Sequence, residues 1–270
     1  MPQTPDPNDP IGVFDSGLGG LTVVKQIVQF LPNERIVYFG DTARVPYGTK
    51  SADTIIRYSR QIVDILKKRR VKMIVVACNT ASALALDVLV KENNLPIMGV
   101  IGPGARKAAL STKKGKIGII ATSSTVKSGA YTAQIHSVNR RLQVVSQPCP
   151  LFVPLVEEGW FDHKVTYEVA QQYLAPIKKA GVDTLILGCT HYPLLKNVLH
   201  SVMGPRVALI DSAEEVASQV RQVLLQRHLL RMKLSPARHT FLISDEPQNF
   251  KRLAGRFLGG GVKEVEHVSV

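Results

Sequence analysis

Two cysteines, Cys78 and Cys189, each close a short apolar run that reads as a buried strand, Met73 to Ala77 in one case and Thr184 to Gly188 in the other. Each is followed by small polar residues able to open a helix, Asn79-Thr80 after the first and Thr190-His191 after the second. A thiol thus recurs at the same point of the same strand-to-helix unit, which points to a reaction needing two thiols that face each other. A single cysteine at a strand end is ordinarily packing, because free cysteine behaves as a small hydrophobe. The repetition, rather than either residue, carries the chemical reading.

Other polar residues fall at strand ends as well. Asp15-Ser16-Gly17-Leu18-Gly19-Gly20 follows the first apolar run, and its glycines permit a tight turn that exposes backbone N–H groups, a setting that favours an anion. It is not the dinucleotide fingerprint G-x-G-x-x-G, because position 22 is threonine. Asp41 ends the second run and precedes the turn Pro46-Tyr47-Gly48, while Thr122 and Ser123 end the run equivalent to the first. Individually Asp15, Ser16, Asn79, Thr122 and Thr190 also serve as helix caps and turn residues. Together they outline a pocket of carboxylate, hydroxyls, amide and N–H groups suited to an amino acid.

The elements that must position these groups alternate along the chain. Strands are expected at Ile11 to Phe14, Arg35 to Phe39, Met73 to Ala77, Ile97 to Ile101, Ile117 to Ala121, Leu142 to Ser146, Thr184 to Leu187, Val207 to Ile210 and Thr240 to Ile243. The clearest helix starts at the N-cap Ser51 and runs to about Arg70, with Ile55, Ile62, Ile65 and Leu66 as its apolar stripe. Such alternation predicts an α/β fold of parallel sheets with helices on both faces. Ile11-Gly12-Val13-Phe14 and Ile117-Gly118-Ile119-Ile120 each start a unit, so we expect two similar domains, the second inserted in the first. Residues 1–10 read as a disordered leader, 11–102 with 211–270 as the first domain and 103–210 as the second. Ligands bind outside the carboxyl ends of strands in open α/β sheets, so a cleft between the domains would bring the two cysteines together.

Composition excludes several classes. No apolar run approaches the roughly 20 residues that cross a bilayer, and the proline-rich start MPQTPDPNDP lacks the basic and apolar regions of a signal peptide. Three cysteines without close pairing argue against a disulfide framework and for a cytoplasmic location. The net charge of +13 gathers in Lys67 to Arg70, Lys113 to Lys116 and Arg221 to Lys233, runs that read as solvated helix ends and faces. Nucleic-acid binding is not expected, since no helix-turn-helix, zinc finger or aromatic platform accompanies the charge. A basic field would steer a small dianion inward.

The segments FDSGLGG (14–20), GDTARVPYG (40–48), ACNTASA (77–83), CPLFVPLVEEG (149–159) and GCTHYPLL (188–195) resemble the motifs of the glutamate racemase family, from about Ile11 to Asp211. The resemblance implies a two-domain fold with the site at the domain interface, no cofactor and no metal, glutamate as substrate, and a role in supplying D-glutamate for bacterial peptidoglycan. A homodimer is the expected assembly. Racemisation removes the α-proton from one face and returns a proton to the other, so two opposed acid/base groups are required. A free thiol ionises near pH 8.5, so one cysteine can act as thiolate and the other as thiol. By resemblance, Cys78 deprotonates D-glutamate and Cys189 deprotonates L-glutamate, with Asp15 and His191 assisting the first and second thiol and Glu157 and Asp41 nearby. The same resemblance gives Asp15, Ser16, Asp41, Tyr47, Gly48, Asn79, Thr80, Thr122, Thr190 and His191 as substrate contacts and favours Glu157 over Glu158. On a helix, residues two apart do not face each other, so contact between Cys189 and His191 is left open. Cys149 is read as packing. A racemase for aspartate or hydantoins, a cysteine hydrolase needing one thiol, and a basic nucleic-acid binder are the competing functions.

Overall fold

All strand pairs among the described residues are parallel, and they form two sheets. The computed structural model describes residues 5–233, 237–262 and 264–270. Its strands are β1 (Ile11–Asp15), β2 (Ile36–Gly40), β3 (Met73–Val76), β4 (Ile97–Gly99), β5 (Lys116–Ala121), β6 (Gln143–Pro148), β7 (Thr184–Gly188), β8 (Ala208–Ile210), β9 (Thr240–Ile243) and β10 (Glu266–His267). The first sheet has the order β10-β9-β2-β1-β3-β4 and the second the order β6-β5-β7-β8. Second-first-third-fourth therefore recurs, with β5 in the place of β1 and β7 in the place of β3. Strands β1, β2, β3 and β7 are buried along their whole length, which is why they read as unbroken apolar runs rather than alternating ones.

Each of the nine expected strands is present, and β9 carries the C-terminal part of the chain back to the first sheet beside β2. The tenth, β10, was not expected, because two exposed polar residues on a sheet edge leave no apolar pattern. Helix Ala52–Lys68 begins as its sequence requires, with the Ser51 hydroxyl accepting from the Thr54 N–H at 3.3 Å. Its buried face comprises Ile55, Ser59, Ile62, Val63 and Leu66, and Lys67 and Lys68 in its last turn complement the helix dipole. The two sheets share one continuous apolar cluster, running from Ile11, Val13 and Tyr38 to Leu185, Leu187 and Tyr192 through Val216 and Val220 of helix Ala213–Gln226.

Residues 1–4 lie outside the described residues, whereas Asp6 and Asp9 close a turn and Pro10 is buried. The turn is pinned because the Lys72 ammonium donates to the Pro7 carbonyl at 2.7 Å. No helix among the described residues is long and apolar enough to cross a membrane.

Candidate active site

Parallel strands deliver their C-terminal residues to one edge. Asp15 ends β1, Cys78 follows β3 and caps helix Asn79–Leu84, Thr122 follows β5, and Cys189-Thr190-His191 follows β7. A small cavity lies between these ends, lined by Ser16, Tyr47, Gly48, Cys78, Asn79 and Thr80 from the first half and Thr122, Cys189, Thr190 and His191 from the second. Val45, Pro46 and Val153 complete the wall. The two thiols of the sequence repeat therefore open onto one space.

Their surroundings differ. Cys78 Sγ donates to Ser16 Oγ at 3.7 Å and receives the Ala81 N–H at the start of its helix. Burial nevertheless pushes its pKa up to about 12, and the nearby Asp15 carboxylate adds to the rise, so Cys78 rests as a thiol. Cys189 Sγ lies 3.8 Å from His191 Nδ1, and His191 Nε2 lies 3.1 Å from Glu157 Oε1. Burial opposes charge on the imidazole, but the hydrogen bonds with Cys189 and Glu157 prevail and raise its pKa to about 10. An imidazolium beside Cys189 is a counter-ion for a thiolate.

The contact between Cys189 and His191 has a local cause. Residues 189–192 form a turn in which the Tyr192 N–H donates to the Cys189 carbonyl at 3.1 Å, before a short 3₁₀ segment Tyr192–Leu195. In a turn, unlike a helix, side chains two apart can converge. Of the adjacent acids, Glu157 is the one bonded to His191.

Asp15 and Asp41 are buried and do not line this cavity, whereas Glu157 lines the adjoining depression, which shares Pro46, Gly48, Thr122 and Val153 with it. Asp15 is fully buried and makes no hydrogen bond with Cys78. Its carboxylate accepts from Gly17 N at 3.1 Å, from the Gly20 N–H and from Thr190 Oγ1 at 3.3 Å. Two N–H groups of the glycine turn, those of Gly17 and Gly20, are thus directed at its own aspartate. Burial raises the Asp15 pKa, against the opposing charge of His191 and these three bonds. Gly19 allows the halves to meet, since a Cβ there would lie 2.2 Å from Thr190 Oγ1 and 2.6 Å from His191 Nδ1.

Asp41, expected as a substrate contact, is fully buried and occupied by protein donors. Arg44 Nε donates to its Oδ2 at 2.7 Å, the Tyr47 hydroxyl to the same atom, and Ser244 Oγ to its Oδ1 at 2.8 Å. Asp41 therefore fixes the loop that presents Tyr47 and Gly48. Thr80, Thr122 and Thr125 join their hydroxyls across the two halves at 2.9, 3.2 and 2.9 Å.

Sequence reasoning missed Arg44, Thr125, Tyr131 and Ser244. Thr125 was visible in principle, being one helical turn from Thr122, whereas Ser244 reaches Asp41 only through the β2–β9 pairing. Cys149 is buried with its Sγ toward the Gln147 carbonyl at 3.6 Å, a packing environment. Among the described residues, no cluster of three or more His, Cys, Asp or Glu is arranged to hold a metal ion.

Comparison with known proteins agrees with this geometry. Residues 11–220 match the family described as Asp/Glu/Hydantoin racemase. The chain is 52% identical over 260 residues to the glutamate racemase of Geobacter metallireducens, covering 96% of each. The structure superposes on glutamate racemase isoform RacE1 of Bacillus anthracis with a TM-score of 0.94 at 40% identity, covering 97% of this chain and 98% of that one. It also superposes on the Francisella tularensis glutamate racemase in complex with D-glutamate, with a TM-score of 0.91, 39% identity and 97% and 98% coverage. With its two parallel sheets, its paired strand-end thiols and these relatives, the chain belongs to the Asp/Glu/Hydantoin racemase family.

Proposed function

We propose that this chain interconverts L- and D-glutamate by a two-base mechanism without a cofactor. The observation that carries the reading is that Cys78 and Cys189, from corresponding strand ends of two similar sheets, line one small cavity. The glutamate racemases that match the whole chain at about half identity supply the substrate.

In the L-to-D direction, the Cys189 thiolate takes the α-proton, the electron pair passes to the α-carbon and its carboxylate, and the Cys78 thiol delivers a proton to the opposite face. Cys189 ends as thiol and Cys78 as thiolate, and exchange with solvent resets the pair. The D-to-L direction reverses these roles. His191, held by Glu157, supports the Cys189 thiolate, and Ser16 and the Ala81 N–H support charge on Cys78. Hydrogen-bond donors at the cavity wall, the Asn79 amide among them, stabilise the carbanion through its carboxylate, and a preorganised donor of this kind contributes about 3 kcal/mol.

The D-glutamate would enter bacterial peptidoglycan. A cytoplasmic homodimer, with domains near 11–102 plus 211–270 and 103–210, belongs to the same reading. The test follows the optical activity of L- and D-glutamate with purified protein and no additive, repeated in deuterium oxide. Racemisation should proceed from both enantiomers, with early product deuterated and residual substrate protiated. Product that keeps its own proton, or a requirement for pyridoxal phosphate, overturns the mechanism.

A further inference from the structure

Tyr131 lies in helix Ala130–Val138 of the second half and is buried, its ring against the backbone of Gly104 and Gly188, where an added Cβ would come within 3.6 and 3.1 Å of it. Its hydroxyl crosses to the first half and donates to Asn79 Oδ1 at 2.6 Å. The Ser212 hydroxyl in turn hydrogen-bonds to the Tyr131 oxygen, which leaves the phenol proton for Asn79. Asn79 follows Cys78 directly and lines the cavity, and its Nδ2 makes no hydrogen bond among the described residues.

An asparagine amide is nearly symmetric in shape but opposite in polarity at its two ends. Turned one way it offers two N–H donors to a carboxylate, and turned the other way it offers a repelling carbonyl oxygen. We propose that Tyr131, oriented by Ser212, is a positioning residue that fixes this choice by engaging Asn79 Oδ1, so that the Asn79 NH₂ faces the carboxylate of the bound substrate. The proposal rests on the amino-acid racemase reading above. It also ties the first residue after one thiol to the opposite half of the molecule. Burial raises the Tyr131 pKa, so the phenol remains a donor throughout the working pH range.

The experiment compares kcat/KM for both glutamate enantiomers in Tyr131→Phe, Asn79→Ala and the double variant, with D-glutamate affinity measured by calorimetry. Tyr131→Phe keeps the ring and should lower kcat/KM by about tenfold in both directions, the worth of one hydrogen bond to a charged group. In the Asn79→Ala background there is no amide to orient, and the same substitution should change kcat/KM less than twofold. An equal loss in both backgrounds, or wild-type kcat/KM in Tyr131→Phe, overturns the proposal. Ser212→Ala leaves the phenol in place, should give a smaller loss that also vanishes with Asn79→Ala, and decides the matter if Tyr131→Phe fails to fold. Failure of the racemase reading appears in the wild-type assay alone, whereas failure of the relay appears only in the ratios between variants.

Discussion

Cys78 and Cys189 occupy equivalent places in two sheets, yet one faces a hydroxyl and an N–H beside a buried carboxylate, and the other faces a charged imidazole. This difference has a measurable consequence for stability. The Cys78 pKa rises from the ordinary 9.0 to about 12 on folding. Above pH 9 the unfolded chain loses that proton while the folded chain retains it, so the unfolded state gains. Its contribution is therefore complete below pH 9 and is lost as pH climbs toward 12, at up to about 1.4 kcal/mol per pH unit. Denaturant melts of wild type and Cys78→Ser from pH 7 to 10.5 should diverge above pH 9, with the variant losing less stability. Parallel curves would contradict the raised thiol.

At the scale of elements, the loop after β2 meets the start of helix Ser123–Ser128 at Gly48. A Cβ on Gly48 would lie 2.5 Å from Thr122 Cβ, so Gly48→Ala must push the loop from the threonine cluster. Overpacking of this kind costs about 1–3 kcal/mol. The expected result is a lower melting temperature together with a raised KM for both enantiomers, and an unchanged KM would separate the loop from substrate binding. The fold was legible because buried parallel strands are short apolar runs, stopped by residues such as Asp15, Gly40 and Gly188. The cavity was legible because strand ends converge in such sheets. Front and back were not legible: Asp41 follows β2 as Cys78 follows β3, and only Arg44, Tyr47 and Ser244 reveal that its oxygens are taken. Tyr131 escaped notice because its partners lie in distant segments and its helix has no unusual pattern.

Across the whole molecule, the opposite ends of the strands divide two tasks. The C-terminal ends hold the cavity, while the N-terminal ends of β2 and β3 hold a buried ion pair, Lys72 Nζ to Glu34 Oε2 at 2.6 Å. Lys72 also donates to the Leu229 carbonyl at 2.8 Å, and Glu34 accepts from Arg231 N at 2.8 Å, so the pair fastens the leader turn and the exit of helix Ala213–Gln226 to the sheet. Lys72→Met leaves Glu34 buried beside a methyl group and should cost about 3–5 kcal/mol. Denaturant melts should record that loss, while KM at a temperature where the variant is folded stays at the wild-type value. A shifted KM would show that the two ends are coupled.

The unequal settings of the two thiols meet a limit set by the substrate rather than by the protein. Mirror-image forms of an amino acid have the same free energy in water, so no arrangement of Asp15, Ser16, His191 and Glu157 can make one accumulate at equilibrium. Whatever speed the imidazolium lends to proton abstraction by Cys189 must return as an equal difference in KM, leaving kcat/KM identical in the two directions. The asymmetry of the cavity therefore determines which enantiomer saturates the protein first, and the 1:1 mixture departs only when a later reaction withdraws one hand.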